Sequence, residues 1–307
     1  MNASKYFRRL LWLAVLTTLL LAGSVAGPPA VGLFLARAHS ATLPADSAAC
    51  APIPAAVISA PWPIYLLTYL LGALLCTGLL CGLASFVRQW YRTRSTLDAL
   101  LKLARPGRSL RRGLPREIAG RLDYIETERS IAFCYGLLSP RVCVSSGALC
   151  GLTEREVEAL LLHEHYHLLH RDPLKVTVAQ ALSSAFFFLP LMRELQQQYV
   201  LAKEIEADLY ALDRQGTDRP LLGALYKLLL RQSGATNSRA LAVAGAGESI
   251  NQRLDYLLDN RLPAGLTFLT LFVSSALIVG ISTIFTVTIW AAAAGALVQQ
   301  AQTGLGC

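Results

Sequence analysis

Long uncharged runs set the pattern of this chain. Residues 10–36, residues 64–86 and a stretch within residues 262–298 each carry enough consecutive apolar positions to cross a bilayer, which takes about 20 residues as a helix. Pro28-Pro29 is expected to kink or end the first of these helices, and the last run reads as one tilted span. A fourth run, residues 176–192, is interrupted by Pro190 and reads as a helix buried against the protein or dipping into the membrane surface. Between the spans the pattern turns amphipathic. Thr153 and Glu156 form a capping box opening one helix, and Asp172-Pro173 reads as an N-cap with proline at the first position of a second. That second helix runs to about Leu189, and a third follows Pro190. Upstream, β-rich residues on either side of Gly136 to Pro140 predict a hairpin turning at Leu138-Ser139-Pro140. The expected fold is therefore mainly α with a small β-hairpin or sheet, flanked by transmembrane helices. Three parts follow: two N-terminal transmembrane helices with a short outer loop over 1–87, a domain over 88–262, and a C-terminal transmembrane helix with a short outer tail over 263–307.

Composition agrees with a membrane protein, at 54% hydrophobic and 16% charged residues and a mean hydropathy of +0.45. Charge gives the chain a direction. Ten Lys or Arg and two acids lie between Arg88 and Arg121, a net +8, whereas residues 37–63 hold one Arg and one Asp. The positive-inside rule then makes the protein a multi-pass cell-membrane protein with residues 88–261 in the cytoplasm. A basic stretch directly after a span is read as contact with membrane lipids, and no direct nucleic-acid binding is expected. Lys5, Arg8 and Arg9 with Ser24-Val25-Ala26 also fit a signal peptide, but the apolar run continues past that point and an uncleaved anchor is preferred. The seven cysteines lack paired metal-site spacing and are expected to be reduced and mostly buried in the cytoplasmic part. Cys50 and Cys307 would both face outside, where they could form a disulfide.

The chemistry is concentrated in one octet. Four of the five histidines lie within residues 163–170, beginning His163-Glu164-His165-Tyr166-His167. On a helix, His163 and His167 share a face and can reach one Zn²⁺, with Glu164 beside it as general base and acid. His170 is a candidate third ligand on the same face, but on a straight helix it lies about 10 Å along the axis from His163, too far for one tetrahedral ion. Glu204, in Lys203-Glu204-Ile205-Glu206-Ala207-Asp208, is the better candidate. Glu206 fits the spacing to Asp208 less well. About sixteen residues out and about fourteen back, at about 1.5 Å each, return Glu204 to the end of the motif helix. Asp208, one turn beyond Glu204, could orient a ligand histidine.

The pattern E-x-x-A-D downstream of H-E-x-x-H resembles the third-ligand signature of glutamate-type zincins. With Ile131 to Ser145 before the motif, and His170-Arg171-Asp172-Pro173, Phe188-Leu189-Pro190 and Arg193-Glu194-Leu195 after it, the chain resembles membrane-embedded metallopeptidases of the β-lactam-sensor (BlaR/MecR) type over about residues 88–262. More distantly it is similar to CAAX-protease and heat-shock membrane zincins. The resemblance implies a gluzincin domain on the cytoplasmic face that binds one Zn²⁺ through His163, His167 and Glu204 and cuts a protein or peptide substrate with Glu164. Arg253 is expected to stabilise the oxyanion, as a basic residue does in related zincins, and the strand near Phe133-Cys134-Tyr135 to pair with extended substrate. About ten residues follow the last span, so a large outer sensor domain and direct β-lactam sensing are not expected. The function expected is a zinc metalloendopeptidase acting on cytoplasmic or membrane-proximal proteins, such as a transcriptional repressor. The alternatives are a membrane quality-control protease and an inactive zinc-bound signalling scaffold. Residues 242–247, rich in Ala and Gly, are read as a mobile loop near the site.

Overall fold

A computed structural model describes residues 2–42, 62–102, 104–106, 118, 120–234, 253, 270–285 and 288. Two long apolar helices come first, α1 (Ala3–Thr42) and α2 (Trp62–Leu101). Within them, Ala3–Gly23 and Tyr69–Ser95 are long and apolar enough to cross a membrane. Pro28-Pro29 does not end α1, which runs on to Thr42. The described part of the last apolar run contains α8 (Thr270–Phe285); apart from Thr288, the rest of that run, residues 242–247 and Cys50 and Cys307 lie outside the described residues.

The strands form one sheet in the order β1-β2-β4-β3, from β1 (Ala104–Pro106), β2 (Leu122–Ile125), β3 (Ala132–Tyr135) and β4 (Arg141–Ser145). The expected hairpin is β3–β4, antiparallel with Cys134 opposite Val142. Its connection needs Gly136, because φ is +87° and a Cβ there would lie 2.5 Å from the Ser139 carbonyl oxygen. The sheet is larger than a hairpin because β2 pairs with β4 in parallel, Leu122 opposite Val142. An ion pair ties the layer together: Arg141 Nε and Nη2 donate to Asp123 at 2.7 Å each, and the Tyr135 hydroxyl donates to the same carboxylate. Among the described cysteines, all free, Cys143 is buried, Cys134 is half-buried and Cys150 is exposed, so burial is less general than the composition suggests.

Helix α3 (Ser146–Leu149) follows β4 directly, and α4 (Glu154–His170) opens on the capping box, Glu156 Oε2 accepting from Thr153 N–H at 2.7 Å. Arg171 ends α4 in the left-handed conformation at φ 52° and serves as the N-cap of α5 (Asp172–Ala185). Asp172 is thus the first helical residue and not the cap. Helix α5 also stops four residues before Leu189. Pro190 opens α6 (Pro190–Gln215), and the extended Leu189 before it (φ −105°, ψ 103°) is the backbone that a following proline favours. Helix α7 (Arg219–Gly234) packs back on α4, where Lys227 Nζ reaches Glu156 Oε2 at 2.7 Å.

The core of the helical layer joins α1, α5 and α6 through Leu10, Ala14, Phe186, Leu189, Met192, Leu195 and Tyr199. The run over residues 176–192 is therefore most of α5, the turn after it and the start of α6, held among the long helices. Helix α2 approaches α5 closely through glycines: a Cβ on Gly78 would lie 2.3 Å from Ala185 O, and one on Gly82 2.7 Å from Ala185 Cβ. The Ser184 hydroxyl donates to Ser85 Oγ at 3.1 Å alongside.

Candidate metal centre

Helix α4 is apolar toward the sheet and toward α6 and α7, so its midsection is buried and carries His163, Glu164 and His167 inward with it. The two histidines, one turn apart, bring their Nε2 atoms to 3.1 Å. The α5–α6 hairpin returns Glu204 to them, with Oε2 3.4 Å from His163 Nε2 and Oε1 3.7 Å from His167 Nε2. One atom from each of these three residues can be chosen so that all lie within 4.8 Å of one another. The other candidates point elsewhere. His170 stacks on Tyr166 at 4.0 Å and bonds Tyr166 O through Nδ1 at 2.9 Å. Glu206 accepts from the Ala3 N–H at 2.8 Å and the Tyr166 hydroxyl at 2.5 Å.

Behind each histidine stands an aspartate. Asp208 Oδ1 is 2.8 Å from His163 Nδ1, and Asp172 Oδ2 is 2.7 Å from His167 Nδ1. A histidine that donates from Nδ1 to a carboxylate presents a lone pair at Nε2, the form a metal needs. Arg253 is buried on the far side of Asp208, donating from Nε at 2.8 Å and from Nη2 at 2.6 Å, with Nη1 3.5 Å from Glu204 Oε2. Its guanidinium is thus engaged by two carboxylates. Lys203 Nζ donates to Glu204 Oε1 at 2.6 Å.

These contacts set the charges. Burial alone would raise the Glu204 pKa, but the Lys203 ammonium and the two histidines hold it well below the ordinary carboxylate range. Burial opposes the charged form of His163, yet hydrogen bonds to Asp208 and Glu204 raise its pKa to about 9. Burial pushes Asp208 up and Arg253 outweighs it, so Asp208 is lowered. Glu164 is buried beside this cluster, and its Oε2 has no hydrogen-bond partner among the described residues.

The donors fit a metal ion. Two Nε2 atoms and a carboxylate converge with each Nδ1 already facing an aspartate, so either protons or a metal ion must lie among them. The His, His, Glu set has the nitrogen and oxygen donors of a catalytic zinc site. Two of the site's residues went unread in the sequence. Asp172 carried a local signal as a helix cap that hid its long-range contact, and Lys203 sat in an acidic stretch whose composition suggested solvent.

No solved structure matches this chain. A protease HtpX homolog of Methanothermobacter thermautotrophicus is 27% identical over 152 residues, 42% of this chain and 58% of the relative. The chain thus spans under two thirds of that relative's length. The family described as BlaR1 peptidase M56 matches residues 4–257, from the first turn of α1 to just beyond Arg253. That reach takes in both apolar helices, the sheet and all the residues converging on His163 and His167, and by it this chain belongs to the BlaR1 peptidase M56 family of membrane metallopeptidases.

Proposed function

We propose that the protein is an integral-membrane zinc metalloendopeptidase whose ion is held by His163, His167 and Glu204. The observation that carries this reading is the convergence of the three donors beside Glu164, whose buried Oε2 lacks a partner among the described residues. Zinc bound there would supply a Lewis acid that polarises the scissile carbonyl and makes a water acidic near neutrality. Glu164 accepts that water's proton and returns it to the leaving amine. Asp208 and Asp172 hold the two imidazoles in the tautomer that presents Nε2, and Arg253 orients Asp208. Strand β3 lies at one edge of the sheet, where an extended substrate can add as a further strand.

The packing supports a site at the membrane surface. Helix α5 runs antiparallel to α2, with Ala181 and Ala185 against Gly82. Asp172, nine residues before Ala181, then lies about 14 Å along α5, level with the basic end of the Tyr69–Ser95 span. Glu206 meets the first residue of the Ala3–Gly23 span. Both spans thus begin or end beside the site on their basic sides. By the positive-inside rule this side is cytoplasmic, which favours cytoplasmic or membrane-proximal protein substrates, a transcriptional repressor among them. The division at 1–87, 88–262 and 263–307 follows from the same topology.

The test is metal content together with peptide cleavage on detergent-purified protein. Wild type should hold one zinc per chain and cut, Glu164→Ala should hold zinc and not cut, and Glu204→Ala should lose both. Zinc retained in Glu204→Ala, or cleavage by Glu164→Ala, would overturn the assignment.

A further inference from the structure

Lys203 lies in a place where a lysine is costly. Its side chain is 13% exposed, and burying an ammonium is unfavourable unless charges and hydrogen bonds compensate it. The compensation is specific. Nζ is 2.6 Å from Glu204 Oε1.

The two oxygens of Glu204 consequently face different surroundings. Oε1 has Lys203 at 2.6 Å and His167 Nε2 at 3.7 Å. Oε2 has His163 Nε2 at 3.4 Å and the Arg253 guanidinium at 3.5 Å. Only Oε1 makes a short contact with a cation, and an oxygen occupied by an ammonium is a poor donor to a second cation. We infer that Lys203 is a positioning residue of the metal centre: it holds Glu204 Oε1 and leaves Oε2 as the single carboxylate oxygen offered to the ion.

This rests on the metal reading above and adds a division of labour within one carboxylate. A glutamate free to give both oxygens would add a ligand atom and close the position that a catalytic site keeps open. Two cationic side chains stand beside the site. Arg253 faces the aspartate behind His163, and Lys203 faces Glu204 itself. Of the two, Lys203 makes the shorter contact with the proposed ligand, 2.6 Å against 3.5 Å for Arg253.

The experiment uses Co²⁺ in place of zinc on the detergent-purified full chain, because its visible absorption weakens several-fold as coordination rises from four. Wild type should show the intense four-coordinate spectrum. Lys203→Met should give the weaker spectrum of a higher coordination number. It should also bind Co²⁺ more tightly in chelator competition, by about tenfold or more on a screened Coulomb argument for a removed neighbouring positive charge. Lys203→Arg, which keeps the charge and the donor, should restore the native spectrum. Lys203→Gln reads the same two quantities if the methionine variant yields no folded protein, and should shift both in the same direction. A native spectrum with unchanged or weaker Co²⁺ binding in the neutral variants would overturn the role of Lys203. Absence of Co²⁺ binding by wild type would instead overturn the metal reading, and the role of Lys203 with it.

Discussion

At the scale of single residues, the histidines depend on what stands behind them. Asp172 and Asp208 each bond an Nδ1 at under 3 Å, but they are not equivalent. Asp208 is also gripped by Arg253 through two nitrogens, whereas the carboxylate of Asp172 sits at the first turn of α5, where the helix N-terminus favours its charge. Asp172→Asn keeps the shape and removes the charge, so it should weaken zinc binding by about 10- to 100-fold, read by chelator competition, while leaving the helical circular dichroism intact. Arg253→Met should do more harm to the fold. It leaves the fully buried Asp208 facing His163 without its guanidinium, and loss of one partner from a buried pair costs about 3–5 kcal/mol. Thermal unfolding should show that drop. A melting temperature equal to wild type would mean that Asp208 is not held by Arg253.

The elements differ in how plainly the sequence announced them. Helix α4 was legible at both ends, because its capping box is a local signal and His170 precedes a change of helix. The hairpin of α5 and α6 was legible through Asp172-Pro173 and Pro190, and with it the return of Glu204 to the histidines. What escaped were features made by distant partners. Strands β1 and β2 are three and four residues long, and β2 is defined by parallel pairing with β4 across an intervening strand, so no local pattern marks them. The end of α5 was misplaced because an apolar run continues through Phe186 to Leu189 whether or not it is helical. The Asp123 link between β2 and the hairpin has a pH signature. Burial raises the Asp123 pKa, but hydrogen bonds from Arg141 and Tyr135 outweigh it and lower it. The stabilisation is then fully present above the ordinary aspartate pKa of about 3.9 and is lost as pH falls through the lowered value. Arg141→Gln should therefore be less stable than wild type near neutrality and should lose less further stability on acidification below about pH 4. Equal acid sensitivity in the two proteins would show that Asp123 is not held low by Arg141.

Across the whole molecule, the first membrane helix and the site share a joint at Glu206. Glu204 and Glu206 are two residues apart on α6 and therefore point to different faces. One meets the histidines, and the other takes the Ala3 N–H at the start of α1 and the hydroxyl of Tyr166 from within the motif. An anion at a helix N-terminus is favourable, and Phe7 packs on Tyr199 at 5.2 Å one turn further along the same contact. The position that spacing alone left as the weaker ligand candidate is thus tied to the union of α1 with α6. Glu206→Ala should cost about 1–3 kcal/mol for the two bonds left unmade and speed amide hydrogen exchange in the first turns of α1. Zinc content should stay near wild type, because no donor to the ion is removed. Glu204→Ala should show the reverse pattern, losing metal with slow exchange retained in α1. If Glu206→Ala lost its zinc while α1 stayed protected, the two carboxylates would have exchanged roles, and the ligand set would have to be His163, His167 and Glu206.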